Sequence, residues 1–201
     1  MGPSTERDVV GDADTAVHWV WDADLPPHDK QNFARFIERF PSLTFTRDTE
    51  ASLAAAESGD VVVLPPHIRR ARSVLSFVHP PLLALFDGFD YECGASDLEG
   101  DVWYSIGLGN AGDEMLADFA EHAHGYVVGA WHGSDGSYLM VDTLHVEDER
   151  IFECDGESLA FAVADGEPVE EIIAPAFASY SSMLGHIVAL RTWAGEVTAA
   201  R

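Results

Sequence analysis

The run Tyr126–Trp131 (YVVGAW), the turn Gly133–Gly136 (GSDG) and the run Ser137–Asp142 (SYLMVD) decide how this chain is read. Two short runs rich in β-branched and aromatic residues, parted by a Gly/Asp turn, predict an antiparallel hairpin. Working outward, Asp101–Ile106 predicts an earlier strand with Val102, Tyr104 and Ile106 on one side. Arg150–Cys154 and Leu159–Val163 predict later strands, at meander-like spacing. Asp113–His122 predicts a short helix with Met115, Leu116 and Phe119 inward, and its early Asp113 and Glu114 suit a positive helix end. Residues 175–193 predict a closing helix, with Phe177, Tyr180, Leu184, Ile187, Val188 and Leu190 at helical spacing.

Upstream, Val17–Trp21 alternates and predicts a strand. Leu25-Pro26-Pro27-His28 then opens a helix whose apolar stripe is Phe33, Phe36, Ile37 and Phe40, ended by Pro41. Leu43–Phe45 predicts a short strand, Thr49–Ser58 an alanine-rich helix stopped by Gly59, and Val61–Leu64 a buried strand. Leu64-Pro65-Pro66-His67 repeats the earlier tetrapeptide before Ile68, Ala71, Val74, Leu75 and Val78, and Arg69 and Arg72 share another face. Four residues do not make a duplication, so both copies are read as helix starts. Pro80–Phe86 is an apolar segment leading into the turn signal Asp87-Gly88.

Helices come first, then strands, then a helix. That order predicts α+β, with a mainly antiparallel or mixed sheet of about five or six strands packed against helices. Residues 1–14 read as a flexible acidic tail and 15–200 as one α+β domain. Within it, 15–60 form an α/β N-terminal extension and 61–200 the core.

The chain has 201 residues and a net charge of −24. Residues 1–72 hold 12 acids and 8 bases, whereas residues 73–201 hold 23 acids and 3 bases. Phosphate backbones and anionic membranes recruit Lys and Arg, so neither nucleic acid nor membrane is an expected direct partner. No apolar run reaches the roughly 18–20 residues of a membrane span, and no signal peptide is read at the N-terminus. Cys93 and Cys154 form no C-x-x-C pattern. The expected setting is therefore a reducing cytoplasm. The skewed charge points to a basic protein partner. A salt-adapted domain is the alternative, since one Lys against ten Arg also fits a high-GC genome.

Two motifs keep an enzyme reading open. Gly107–Gly112 (GLGNAG) matches G-x-G-x-x-G between a predicted strand and helix. Asp113 and Glu114 follow at once, where a pyrophosphate needs positive potential, which favours a plain turn. His122, His124 and His132 cluster in sequence, but no H-E-x-x-H or Cys/His zinc spacing accompanies them. They are read as surface or capping residues, and neither metal nor cofactor is expected.

Three stretches carry a family resemblance. Leu64–Val78 opens Leu-Pro-Pro and runs into an amphipathic helix; Gly133–Asp142 is a Gly/Asp turn before a strand ending in Asp; Ile173–Tyr180 (IAPAFASY) precedes an apolar helix. In that order the chain resembles the SUKH superfamily, which includes a yeast cell-wall synthesis regulator, Syd and many bacterial immunity proteins. It departs where the family's Asn-Gly has Asp87-Gly88 as nearest counterpart, where Gly-Asp appears as Gly136-Ser137, and over the first 60 residues. The resemblance implies an α+β fold with no catalytic site, acting by binding and occluding a basic protein such as a toxin. The expected contact is Asp87, Asp90, Glu92, Asp97, Glu99 and Asp101, flanking Phe89, Tyr91 and Trp103.

Overall fold

The computed structural model describes residues 8–9, 12–60, 62–77, 81–86, 101–107, 114–132 and 137–199. Its centre is the expected hairpin. Strands β6 (Gly125–His132) and β7 (Ser137–Asp142) pair antiparallel, with Ala130 opposite Tyr138 and Tyr126 opposite Val141. On one side of them lie β5 (Asp101–Ile106), β4 (Pro81–Phe86) and β10 (Arg191–Ala199); on the other lie β8 (Ile151–Asp155) and β9 (Ala174–Phe177). The seven strands run β10-β4-β5-β6-β7-β8-β9, and every pairing is antiparallel. A second sheet joins β1 (Asp8–Val9), β2 (Phe45–Arg47) and β3 (Ser76–Phe77).

The apolar run YVVGAW has no polar face because helices cover both sides of the sheet. Side chains alternate across a strand. Tyr126, Val128, Leu139, Val141 and Ile151 point into one core, and Val127, Met140 and Cys154 into the other. The first core is closed by α1 (Ala13–Asp22), α2 (Pro27–Arg39), α4 (Pro66–Val74) and α7 (Tyr180–Ala189). These contribute Ala16 and Val20, then Phe33, Phe36 and Ile37, then Ile68 and Ala71, then Met183 and Leu184. The second core is closed by α5 (Glu114–His122) through Phe119 and by α6 (Gly156–Asp165) through Leu159. The α+β expectation holds as a helix–sheet–helix arrangement, with a wider sheet than expected.

Both Leu-Pro-Pro-His copies start helices. Pro26 and Pro65 take the same backbone angles, φ −54° and ψ 145°, and the next proline occupies the first helical position. Helix α3 (Glu50–Asp60) follows the alanine-rich prediction but runs through Gly59, which was expected to stop it.

Several expectations are corrected. Val17–Trp21 is not a strand; it lies in α1, capped by Asp12, whose carboxylate accepts from Thr15 N at 2.7 Å. Its buried residues Ala16 and Val20 are four apart, a helical period that the neighbouring tryptophans obscure. Leu159–Val163 lies in α6, capped at one end by Asp155 and ended at Gly166, where φ is +69°. Val62–Leu64 forms no strand, with Val63 exposed and Leu64 buried, and the strand expected at Leu43–Phe45 runs Phe45–Arg47 instead. The closing helix is shorter than 175–193. The Ser179/Ser182 capping box starts it at Tyr180, and strands flank it on both sides. Within residues 1–14, Asp8–Val9 pair with β2, and Ala13 and Asp14 begin α1.

Candidate functional site

Most of the expected contact, Asp87, Phe89, Asp90, Tyr91, Glu92, Asp97 and Glu99, lies outside the described residues. Asp101 and Trp103 lie on β5, paired with Phe86 and with Ala84 and His132 respectively. Of the histidines, His122 closes α5, where a cation suits the helix end. His124 takes φ 50°, and its carbonyl accepts from both the amide and the hydroxyl of Thr143. His132 is paired on β6. Among the described residues no group of three or more His, Cys, Asp or Glu is arranged to hold a metal. Of the glycine loop, Gly107 is described; residues 108–112 are not.

Three polar constellations stand out. The first is buried between α4, β2, β6 and α7. Asp48 has a fully buried side chain and accepts from Arg72 Nε at 2.6 Å and from Ser76 Oγ at 3.3 Å. Arg72 Nη1 donates to the Tyr126 hydroxyl. Burial works against the Arg72 charge, but Tyr126 and Asp48 outweigh it and raise its pKa. Tyr180 completes the group. Burial pushes its phenol well above the ordinary value, Arg72 pulls it back, and Tyr126 raises it further. A concavity bounded by Ile68, Leu75, Phe77 and Val128 opens over these groups, with Gly107 at its wall. None of this was legible beforehand. Residues 48, 72, 126 and 180 meet only through the fold, and the one signal was Arg72 on a predicted helix beside a buried stripe.

The second is a cleft where the two Leu-Pro-Pro-His copies meet. His28, Asp29, His67, Arg70, Glu149 and Ser181 line it. Asp29 accepts from the Ser181 hydroxyl and lies 3.0 Å from His28 Nε2. Burial lowers the His67 pKa; Glu149, the Val146 carbonyl and Asp148 oppose the shift, and Arg70 adds to it.

The third is the outer face of α6. Glu157, Phe161 and Asp165 are all exposed and spaced four apart, so they share one stripe of the helix. Phe161 is 65% exposed. Exposed Glu167, Glu170 and Glu171 follow around the 3₁₀ turn Val169–Glu171. None of these five carboxylates has an ion-pair partner among the described residues. The helices of the first half also carry exposed acids, such as Asp14, Asp22 and Glu38, but others near them are paired. There Arg69 binds Glu50 and Glu57, and Arg72 binds Asp48. Elsewhere Asp148 is held down to about 2 by the Arg150 guanidinium. Cys154, buried in the second core, has its thiol pushed up to about 11 by burial and by Asp155 and Glu153. That makes it a poor nucleophile.

The fold and these sites define an antiparallel sheet between two helical layers, with an acidic outer layer and a polar network under the inner one. Comparison with family models, curated proteins and solved structures finds no match for this chain. No helix among the described residues is long and apolar enough to cross a membrane.

Proposed function

We propose that this chain is a non-catalytic protein-binding domain of the SUKH kind. In this reading it acts as an immunity-type or regulatory protein that binds and occludes a basic partner such as a toxin. One observation supports the reading above the rest. The outward stripe of α6 sets an exposed phenylalanine between two unneutralised carboxylates, with three more acids just beyond. An exposed aromatic is the residue type that anchors interfaces, and surrounding carboxylates steer a cationic surface toward it. Residues 73–201 carry 23 acids against 3 bases, so the field around that stripe has one sign.

The test is affinity capture with the immobilised full chain at low salt, followed by identification of what is retained. The wild type is compared with Phe161→Ser and with Glu157→Gln/Asp165→Asn. The expected result is a basic protein, held by the wild type, depleted about tenfold by either variant and released near 0.5 M salt, where the Debye length shrinks to a few ångströms. Retention of neutral or acidic proteins alone, or equal retention by the variants, sinks the reading. Higher thermal stability in molar KCl with nothing captured would favour the salt-adapted alternative.

A further inference from the structure

We infer that the cleft between the two Leu-Pro-Pro-His copies binds a small zwitterion, a free α-amino acid with a short side chain, its carboxylate on Arg70 and its ammonium on Glu149. This is independent of the acidic face of α6. Both residues line the cleft, and both are exposed. Neither has an ion-pair partner among the described residues, and they are not paired with each other. Both act on the same His67 ring, Glu149 raising its pKa and Arg70 lowering it, so the two charges border one space. His67 lines that space too, and its Nε2 is buried with no hydrogen-bond partner among the described residues. A buried polar atom left open in a folded chain points to a group that completes it.

The charge balance sets the ligand's character. Asp29, the other acid of the cleft, is already engaged by the Ser181 hydroxyl and lies 3.0 Å from His28 Nε2. Arg70 and Glu149 remain as the unpaired charges of the lining. Helix α4 has neither a side-chain cap nor an acid in its first turn, so its positive end adds to Arg70. A plain anion would meet Glu149 in a chain of net charge −24, and a plain cation would meet Arg70. A zwitterion offers each residue the opposite sign and brings no net charge. Size follows from the walls. The cleft encloses ≈ 490 Å³ out to its mouth, and a water molecule's centre can visit ≈ 80 Å³ of it. At roughly 10–15 Å³ per water, there is room for about five to eight non-hydrogen atoms, the size of glycine, alanine or serine. Phe33 and Ala71 supply apolar wall for a short side chain.

The test titrates glycine and L-alanine into the full chain and follows its backbone amides by NMR, with acetate and methylammonium as single-charge controls at matched ionic strength. Saturable shifts around His67, Arg70 and Glu149 are expected with both amino acids, and binding of either control at least tenfold weaker. Arg70→Gln and Glu149→Gln should each keep the melting temperature, because both side chains are exposed and unpaired, yet bind glycine about tenfold more weakly. Absence of saturable shifts with both amino acids overturns the inference. So does acetate or methylammonium binding as tightly as glycine, or glycine binding unchanged in both variants.

Discussion

Asp48 and Arg72 show how much one buried pair decides. The carboxylate is fully buried and the guanidinium largely so, and they meet at 2.6 Å. Removing one partner leaves the other charged and enclosed, which costs far more than a surface pair is worth. Asp48→Ala is expected to lose about 3 kcal/mol of unfolding free energy by denaturant titration. Replacing both, as Asp48→Leu with Arg72→Met, should lose less than Asp48→Ala alone. Equal or greater loss in the double variant would contradict the pairing. His67 gives a pH signature at the same scale. Burial lowers its folded pKa below the ordinary 6.5, so between those values the unfolded chain binds more protons. Its contribution is therefore complete above about pH 6.5 and is lost as pH falls toward the lowered folded value. Melting temperature followed downward from pH 7.5 should fall more steeply in the wild type than in His67→Gln. Parallel profiles would rule His67 out. Asp148 acts lower, because its stabilisation is present above about pH 3.8 and fades as pH drops toward 2.

Elements differ in how plainly the sequence announces them, and the reasons are physical. Helices α2 and α4 are legible because a proline at the first turn and a repeating buried stripe agree. Strands β6 and β7 are legible because two apolar runs flank the Gly/Asp signal at 133–136 in the sequence. Helices α1 and α6 are not. Each buries few residues, Ala16 and Val20 in one, Gly156, Leu159 and Ala162 in the other. With so few buried positions, three of them Ala or Gly, local alternation is the louder pattern. Strand β10 is missed because its pairing with β4 spans about half the chain, and no local pattern records a partner so distant. The polar network is hidden for the same reason, whereas the exposed acids of α6 are plain as composition once the helix is known. Two substitutions test the assignments. Asp155→Ala removes the side chain that accepts from Ser158 N at 2.7 Å and should cost about 1 kcal/mol; an unchanged stability would argue against a helix starting there. In β6, a Cβ on Gly129 would come within 2.6 Å of the Ser105 carbonyl oxygen across the sheet. Gly129→Ala should therefore destabilise by about 1–3 kcal/mol. Full tolerance would contradict the β5–β6 register.

At the scale of the whole molecule, the bases are concentrated in the first half of the chain, with 8 in residues 1–72 against 3 in residues 73–201. In the first half Arg69 and Arg72 neutralise Glu50, Glu57 and Asp48, and Arg47 sits over the Trp19 ring at 4.5 Å. The outer layer leaves its acids unneutralised around Phe161. Self-repulsion at a net charge of −24 costs stability, and a surface that keeps such a cost gains from a cationic partner. In the proposed reading this acidic layer captures a basic protein. The most direct measurement is the association rate with the captured partner as a function of ionic strength, for the wild type and for Glu157→Gln/Asp165→Asn. The rate is expected to fall steeply with salt in the wild type and less steeply in the variant, with the two converging at high salt. A rate that ignores salt, or an identical slope in both proteins, would contradict it.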